Sequence, residues 1–306
     1  MKRKKMGIAL GGGGILGVAH IGVLEVLEEH GITPTVVTGT SAGSIVGALY
    51  AAGVKLSVMR ELSLSLRKED ILAWNFTPYS FVRFLLSNLR DMTSLLNTIP
   101  RALFSGEKIG QLVEKATDKN SFSEIFAPFG VVAVDLITGK KVVFSNTSPH
   151  SKQPGTIYFQ KAPLGMAVAA SCAIPGIFNP VSYQDTLLSD GGLMEMVPAS
   201  LARTLGSHVV IGVDLKQKGA VEEPQTLIQV VQRGIDIMTL QGVRQDLQSA
   251  DLVISPMEYD GKLDDFGRVA EQLERGRQAA LEAIPDLERL LFKRNISSDK
   301  PYYGTK

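Results

Sequence analysis

Along the chain, short apolar runs alternate with stretches in which apolar residues recur every three or four positions. Met6 to Leu10 reads as a strand buried on both faces. Ile15 to His30 reads as a helix, with Val23, Leu24 and Leu27 on one face and Gly31 as its stop. Thr35 to Thr38 gives a second strand, and Ser41 to Ala52 a helix rich in Ala and Gly that Gly53 ends. This β-α-β-α opening predicts an α/β fold whose mostly parallel sheet is covered by helices on both faces.

Further on, Gly130 to Ile137 and Lys140 to Ser145 flank Thr138-Gly139 and predict a hairpin. Helices are expected from Pro163 to Ser171, from Pro198, from Thr226 to Ser249 and from Phe266 to Ala283. His208 to Leu215 and Leu252 to Ser255 read as strands. Residues 295–306 are polar and read as a loose tail. No internal repeat, low-complexity tract or linker divides the chain. One domain with a helical insertion at about Leu56 to Gln111 is therefore the simplest organisation.

Within that insertion Phe81, Phe84, Leu85, Leu89, Met92, Leu95, Leu96 and Ile99 keep helical spacing, with Arg83, Arg90 and Arg101 among them. A core-facing helix and a lid that touches lipid both fit the pattern. Trp74, Phe76 and Tyr79 add aromatic residues of the kind that suit interfaces.

Composition sharpens this picture little. The 306 residues are 44% hydrophobic and 21% charged, with a net charge of +1, so no basic field points to nucleic acid. The single cysteine, Cys172, cannot make an internal disulfide, which fits a reducing compartment. Met1-Lys2-Arg3-Lys4-Lys5 resembles the start of a signal peptide, but the apolar run after it ends at Gly11 and no cleavage site follows. Ala162 to Val181 is the most apolar long window. Pro163, Pro175 and Pro180 interrupt it, so it reads as buried protein and not as a membrane span. A cytoplasmic protein is expected, at most peripheral at the inner membrane surface.

Candidate chemistry starts at Gly39-Thr40-Ser41-Ala42-Gly43, which fits G-x-S-x-G between a β-branched strand and a helix. Glycines at both flanks let strand and helix approach closely, so that the Ser41 hydroxyl stands out at a strained turn. The alternative is that Ser41 only caps the helix, but a cap does not require two flanking glycines.

Gly11-Gly12-Gly13-Gly14 lies between the first strand and the first helix and exposes backbone N–H groups. It could form an oxyanion hole, a dinucleotide loop (Gly12, Gly14 and Gly17 satisfy G-x-G-x-x-G) or a structural turn. A dinucleotide site needs an acidic residue at the end of the next strand, where this chain has Gly39-Thr40-Ser41. No Gly-Lys-Ser/Thr follows the glycines, which excludes a P-loop. The oxyanion reading gains because adjacent parallel strands bring both turns to one edge of the sheet.

A serine nucleophile needs a proton acceptor. Of His20, His30, His150 and His208, only His208 follows a plausible acid as an α/β-hydrolase order requires. It sits at the start of a buried strand, the wrong end for the site. His20 and His30 read as packing or surface residues. Asp190, before Gly191-Gly192, is the better candidate, because a desolvated carboxylate could take the proton directly. A plain turn is the competing reading for Asp190. No H-E-x-x-H pattern or cysteine cluster occurs, so neither a metal nor a cofactor is expected.

Five blocks, in order and spacing, resemble the bacterial members of the patatin-like phospholipases. They are Ile8 to Gly14 with His20-Ile21-Gly22-Val23-Leu24, Gly39 to Ser44, Asp135 to Gly139, Ala170 to Pro175, and Asp190-Gly191-Gly192. The resemblance covers roughly Gly7 to Leu215. It implies a three-layer α/β/α fold and a serine–aspartate dyad, with Ser41 as nucleophile, Asp190 as base and the backbone of Gly12, Gly13 and Gly14 as oxyanion hole. The implied reaction is metal-independent hydrolysis of acyl esters in phospholipids, lysophospholipids or acylglycerols through an acyl-enzyme. The implied partners are lipid or ester substrates and transient contact with a membrane surface, with no nucleic acid. Two positions depart from the family: Leu16 stands where Arg or Lys is usual, and Glu195 where Asn is common. Loss of positive charge at Leu16 is expected to alter rate or headgroup preference. A histidine-dependent esterase using His208, and a catalytically silent regulator on the same fold, are the alternatives.

Overall fold

The computed structural model describes residues 4–74, 101–215, 223–256 and 265–292. Its main sheet runs β12(Leu252–Ile254), β11(Val209–Val213), β1(Met6–Leu10), β2(Val36–Thr40), β5(Phe129–Asp135), β10(Thr186–Asp190) and β9(Val181–Tyr183). The first five of these strands are parallel, whereas β10 and β9 run antiparallel to their neighbours. On the other edge of β5 lies β6(Lys141–Ser145), paired antiparallel, and β7(Thr156–Phe159) pairs with β6.

Strand residues alternate between two covered faces. Ile8, Leu10, Val37, Phe129, Val131, Ile211 and Val213 join the large core beneath α1(Ala19–Glu29), α2(Ala42–Ala51), α5(Glu107–Thr117), α6(Leu164–Ser171) and α9(Val269–Phe292). Ala9 and Val210 turn the opposite way, onto α7(Ala199–Thr204) and the end of α8(Leu227–Leu247). The result is the expected α/β/α layering around a mostly parallel sheet. Small residues bring α1 and α9 together: a Cβ on Gly22 would sit 2.0 Å from the Leu273 carbonyl oxygen, and one on Gly276 equally close to that of Ala19.

Three expectations change. The first helix does not start at Ile15. Gly14 takes a φ of 56°, Gly14–Val18 forms a 3-10 turn, and the α-helix begins at Ala19. The last helix runs past Ala283 to Phe292 despite Pro285, because Ile284 and Leu287 bury into the core and offset the lost hydrogen bond. The insertion is not wholly helical. After α3(Leu56–Ser65) and α4(Lys68–Ile71), strands β3(Ala73–Trp74) and β4(Ala102–Ser105) join β8(Gly176–Phe178) in a small second sheet. The Phe81 to Ile99 stripe, Phe76, Tyr79 and the 295–306 tail lie outside the described residues. Among the described residues no helix is long and apolar enough to cross a membrane.

Candidate active site

Three strand ends build the site. β1 and β2 are parallel neighbours, so the turns after Leu10 and Thr40 emerge at the same edge. β5 continues beyond β2: Thr40 pairs with Val132, and the next residue, Ala133, pairs with Asp190 of the antiparallel β10. The C-terminal ends of β2 and β10 therefore meet head to head along one edge of β5. This places Asp190 beside Ser41.

Ser41 itself has φ 51° and ψ −125°, a conformation that side-chain-bearing residues rarely adopt. Its side chain makes no capping bond to α2, so the helix-cap reading does not describe it. The glycines of the motif are forced by contact. A Cβ on Gly39 would fall 2.3 Å from the Gly43 oxygen, and one on Gly43 would fall 2.1 Å from the Leu10 oxygen. A Cβ on Gly17 would lie 2.6 Å from that of Ala42.

The Ser41 side chain faces the Asp190 carboxylate, which accepts the Gly192 N–H at 2.8 Å. Each residue is only 6% exposed. Burial lifts the Asp190 carboxyl to about 6, although the Gly192 N–H and the Ser41 hydroxyl oppose the shift. A carboxylate held this way is a stronger base than one in water, and it remains ionised at neutral pH.

The glycine loop runs alongside. A Cβ on Gly12 would lie 3.2 Å from that of Ser41. Gly12 departs from its expected role, since its N–H donates to the Met196 carbonyl at 3.2 Å. Among the described residues no hydrogen bond takes the N–H of Gly13 or Gly14. Asp246 on α8 accepts the N–H groups of Met196 and Val197 at 2.8 and 3.2 Å, so it anchors the segment that holds Gly12.

Sequence reasoning missed several contributors. Ser171 accepts the Ser41 N–H at 2.9 Å and donates to the Val132 carbonyl at 2.6 Å, tying the turn to β5. A lone polar side chain ending the apolar run Leu164 to Ala170 was its signal. Cys172 bears on the site as well: its thiol lies 3.9 Å from the Ser44 hydroxyl, close to Ser41 and Asp190. Burial, then the nearby Asp190 charge, pushes that thiol above its usual range. His20 is fully buried and donates from Nε2 to the Gly11 carbonyl at 2.8 Å. Burial lowers its pKa to about 4, so it is neutral and holds the loop.

The histidine-dependent alternative fails on position. His208 precedes β11 at the end of the sheet opposite Ser41, exposed, with Nδ1 accepting the Lys5 N–H at 3.2 Å. His30 and His150 are also exposed.

The two family departures resolve differently. Glu195 is buried in an ion pair with Lys141 at 2.9 Å and accepts the Ser200 hydroxyl at 2.5 Å. Its backbone carbonyl accepts the Thr40 hydroxyl at 2.9 Å. Leu16 is fully buried in the main core, where its loss of charge is a matter of packing. Leu16→Arg should therefore destabilise the fold by about 3 kcal/mol or more, because it buries an unpaired charge and overpacks the core. Thermal unfolding checks this; an equally stable variant with altered kinetics would restore the electrostatic role.

Fold and site together define an α/β/α protein in which a serine on a strained strand-to-helix turn faces a buried carboxylate. The patatin-like phospholipase model matches residues 8–203, and the chain belongs to that family. An uncharacterised NTE family protein of Mycobacterium tuberculosis is 31% identical over 211 residues, 69% of this chain and 49% of the relative. Human patatin-like phospholipase domain-containing protein 6 is 29% identical over 210 residues, 68% of this chain and 13% of that protein. The chain thus spans half or less of the length of these relatives. The solved structure of VipD from Legionella pneumophila aligns with a TM-score of 0.48 at 14% identity, over 94% of this chain and 67% of that one.

Proposed function

We propose that the protein is a serine-dependent lipid acyl hydrolase. The observation that carries this reading is the Ser41 hydroxyl set against the buried, base-strengthened Asp190 carboxylate where β2 and β10 meet. Asp190 takes the hydroxyl proton as Ser41 Oγ attacks the acyl carbonyl carbon. The N–H groups of Gly13 and Gly14, which follow Gly12 in the loop alongside Ser41 and have no other partner among the described residues, receive the developing oxyanion. Collapse expels the alcohol, which recovers the proton from Asp190. Water, activated by the same carboxylate, then cleaves the acyl-enzyme and frees the fatty acid. Family membership supports carboxylic esters of phospholipids, lysophospholipids or acylglycerols as the substrate class.

The test is covalent. A fluorophosphonate ester should label the wild-type protein on Ser41, and the Ser41→Ala variant should take up none. Folded protein that neither labels nor turns over acyl esters would instead be a catalytically silent member of the family.

A further inference from the structure

Helix α8 carries an apolar stripe that no described element covers. Leu227 is 78% exposed, Val230 52%, Val231 49%, Ile237 53% and Met238 80%. At 3.6 residues per turn these positions fall on one side of the helix, together with Gly234. Arg233 and Arg244 border that side, while Asp236 lies on the opposite side from Leu227 and Asp246 is held on the Met196 and Val197 backbone. The exposed face is thus apolar with Arg233 and Arg244 at its edge, Asp236 lying beside Arg233 away from the apolar side chains.

Its position decides the occupant. Met238 and Gly242 of α8 line a cleft with Gly192, Leu193 and Met196. Gly192 donates to Asp190, and the sulfur of Met196 lies 2.7 Å from where a Gly12 Cβ would be. Met238 thus joins the apolar face to a cleft, lined also by Thr239 and Asp246, whose far wall at Gly192 and Met196 adjoins the Ser41–Asp190 site.

We propose that this face of α8 docks the protein on an anionic lipid surface, beside the cleft that adjoins the Ser41–Asp190 site. The inference rests on the lipid hydrolase reading above. Apolar side chains enter the acyl boundary and the bordering arginines meet lipid phosphates, as on helices that lie in a membrane interface. Docking there sets the cleft mouth against the layer that holds the substrate.

Val230→Asp with Ile237→Asp tests it, since neither residue lines the cleft. Binding to phosphatidylcholine vesicles, with and without phosphatidylglycerol, is measured by sedimentation on a Ser41→Ala background. Removing two apolar anchors should weaken binding by about tenfold or more. Arg233→Gln with Arg244→Gln, a milder change, should remove the preference for phosphatidylglycerol. With Ser41 intact, hydrolysis of a soluble short-chain ester by the aspartate variant should stay within about twofold of wild type, because docking is not needed there. Vesicle binding that is absent from the start, or unchanged in both variants, overturns the proposal. So does a wild-type dimer that the aspartates split without changing vesicle binding, since the face then serves self-association. Failure of the wild type on soluble esters would count against the hydrolase reading alone.

Discussion

Replacing Ser41 with Ala, or Asp190 with Asn, should each lower ester turnover by about a thousandfold or more while the protein stays folded. In the proposed mechanism the two act as one unit: without the hydroxyl there is no nucleophile, and without the carboxylate nothing takes its proton. The pH profile supplies a second readout. Asp190 must be ionised to act, and its carboxyl stands at about 6, so wild-type turnover should fall as pH drops through about 6 and level off above it. Burial also raises Asp246 to about 6, and Asp246 holds the Met196 segment. Asp246→Asn should therefore keep the acid limb if Asp190 is its source. Stability moves the opposite way. A carboxyl raised in the folded state favours folding below its unfolded value, and that contribution is lost as pH rises through about 6. Asp190→Asn should therefore unfold at a higher temperature than wild type at pH 8, with the difference shrinking toward pH 5. Near-wild-type turnover in either Ser41→Ala or Asp190→Asn would sink the assignment.

Gly43→Ala should destabilise the fold by about 3 kcal/mol or more. The new Cβ would lie 2.1 Å from the Leu10 oxygen and 2.7 Å from the Gly11 oxygen. Both are backbone atoms of β1 and its loop, so no flexible side chain can yield. The start of α2 must move, and Ser41 moves with it away from the glycine loop. The same exchange at Gly234, inside α8 with nothing within 4 Å, should raise stability by about 0.5 to 1 kcal/mol through helix propensity. Urea unfolding of the two variants side by side would show opposite signs. A Gly43→Ala protein as stable as wild type would mean that strand and helix do not pack this closely.

Much of the local structure was legible in the chain. The apolar runs marked strands β1, β2, β5 and β11. The amphipathic pattern from Thr226 marked α8, and in the structure Thr226 and Gln229 form reciprocal capping bonds at its start. The glycine-flanked serine was legible because a strand-to-helix turn this tight leaves no room for a Cβ, a requirement written in adjacent residues. The sequence also singled out Asp190, as an acid ahead of two glycines with no well-placed histidine to compete.

What it could not state is why Ser41 and Asp190 meet, 149 positions apart. That depends on β10 running antiparallel along β5 from the point where β2 ends, and strand direction and register are long-range choices. The same holds for the groups whose partners are distant backbone atoms. Ser171 bridges Ser41 and Val132, His20 holds Gly11, and Asp246 holds Met196, which takes the Gly12 N–H. Each is an ordinary polar residue in sequence. Burial and a partner brought in by the fold make it part of the site, because a polar group removed from water must be satisfied wherever the chain delivers a donor or acceptor. Leu16 shows the converse: the charge missing from the sequence became, once the helix was packed, a side chain closed into the core.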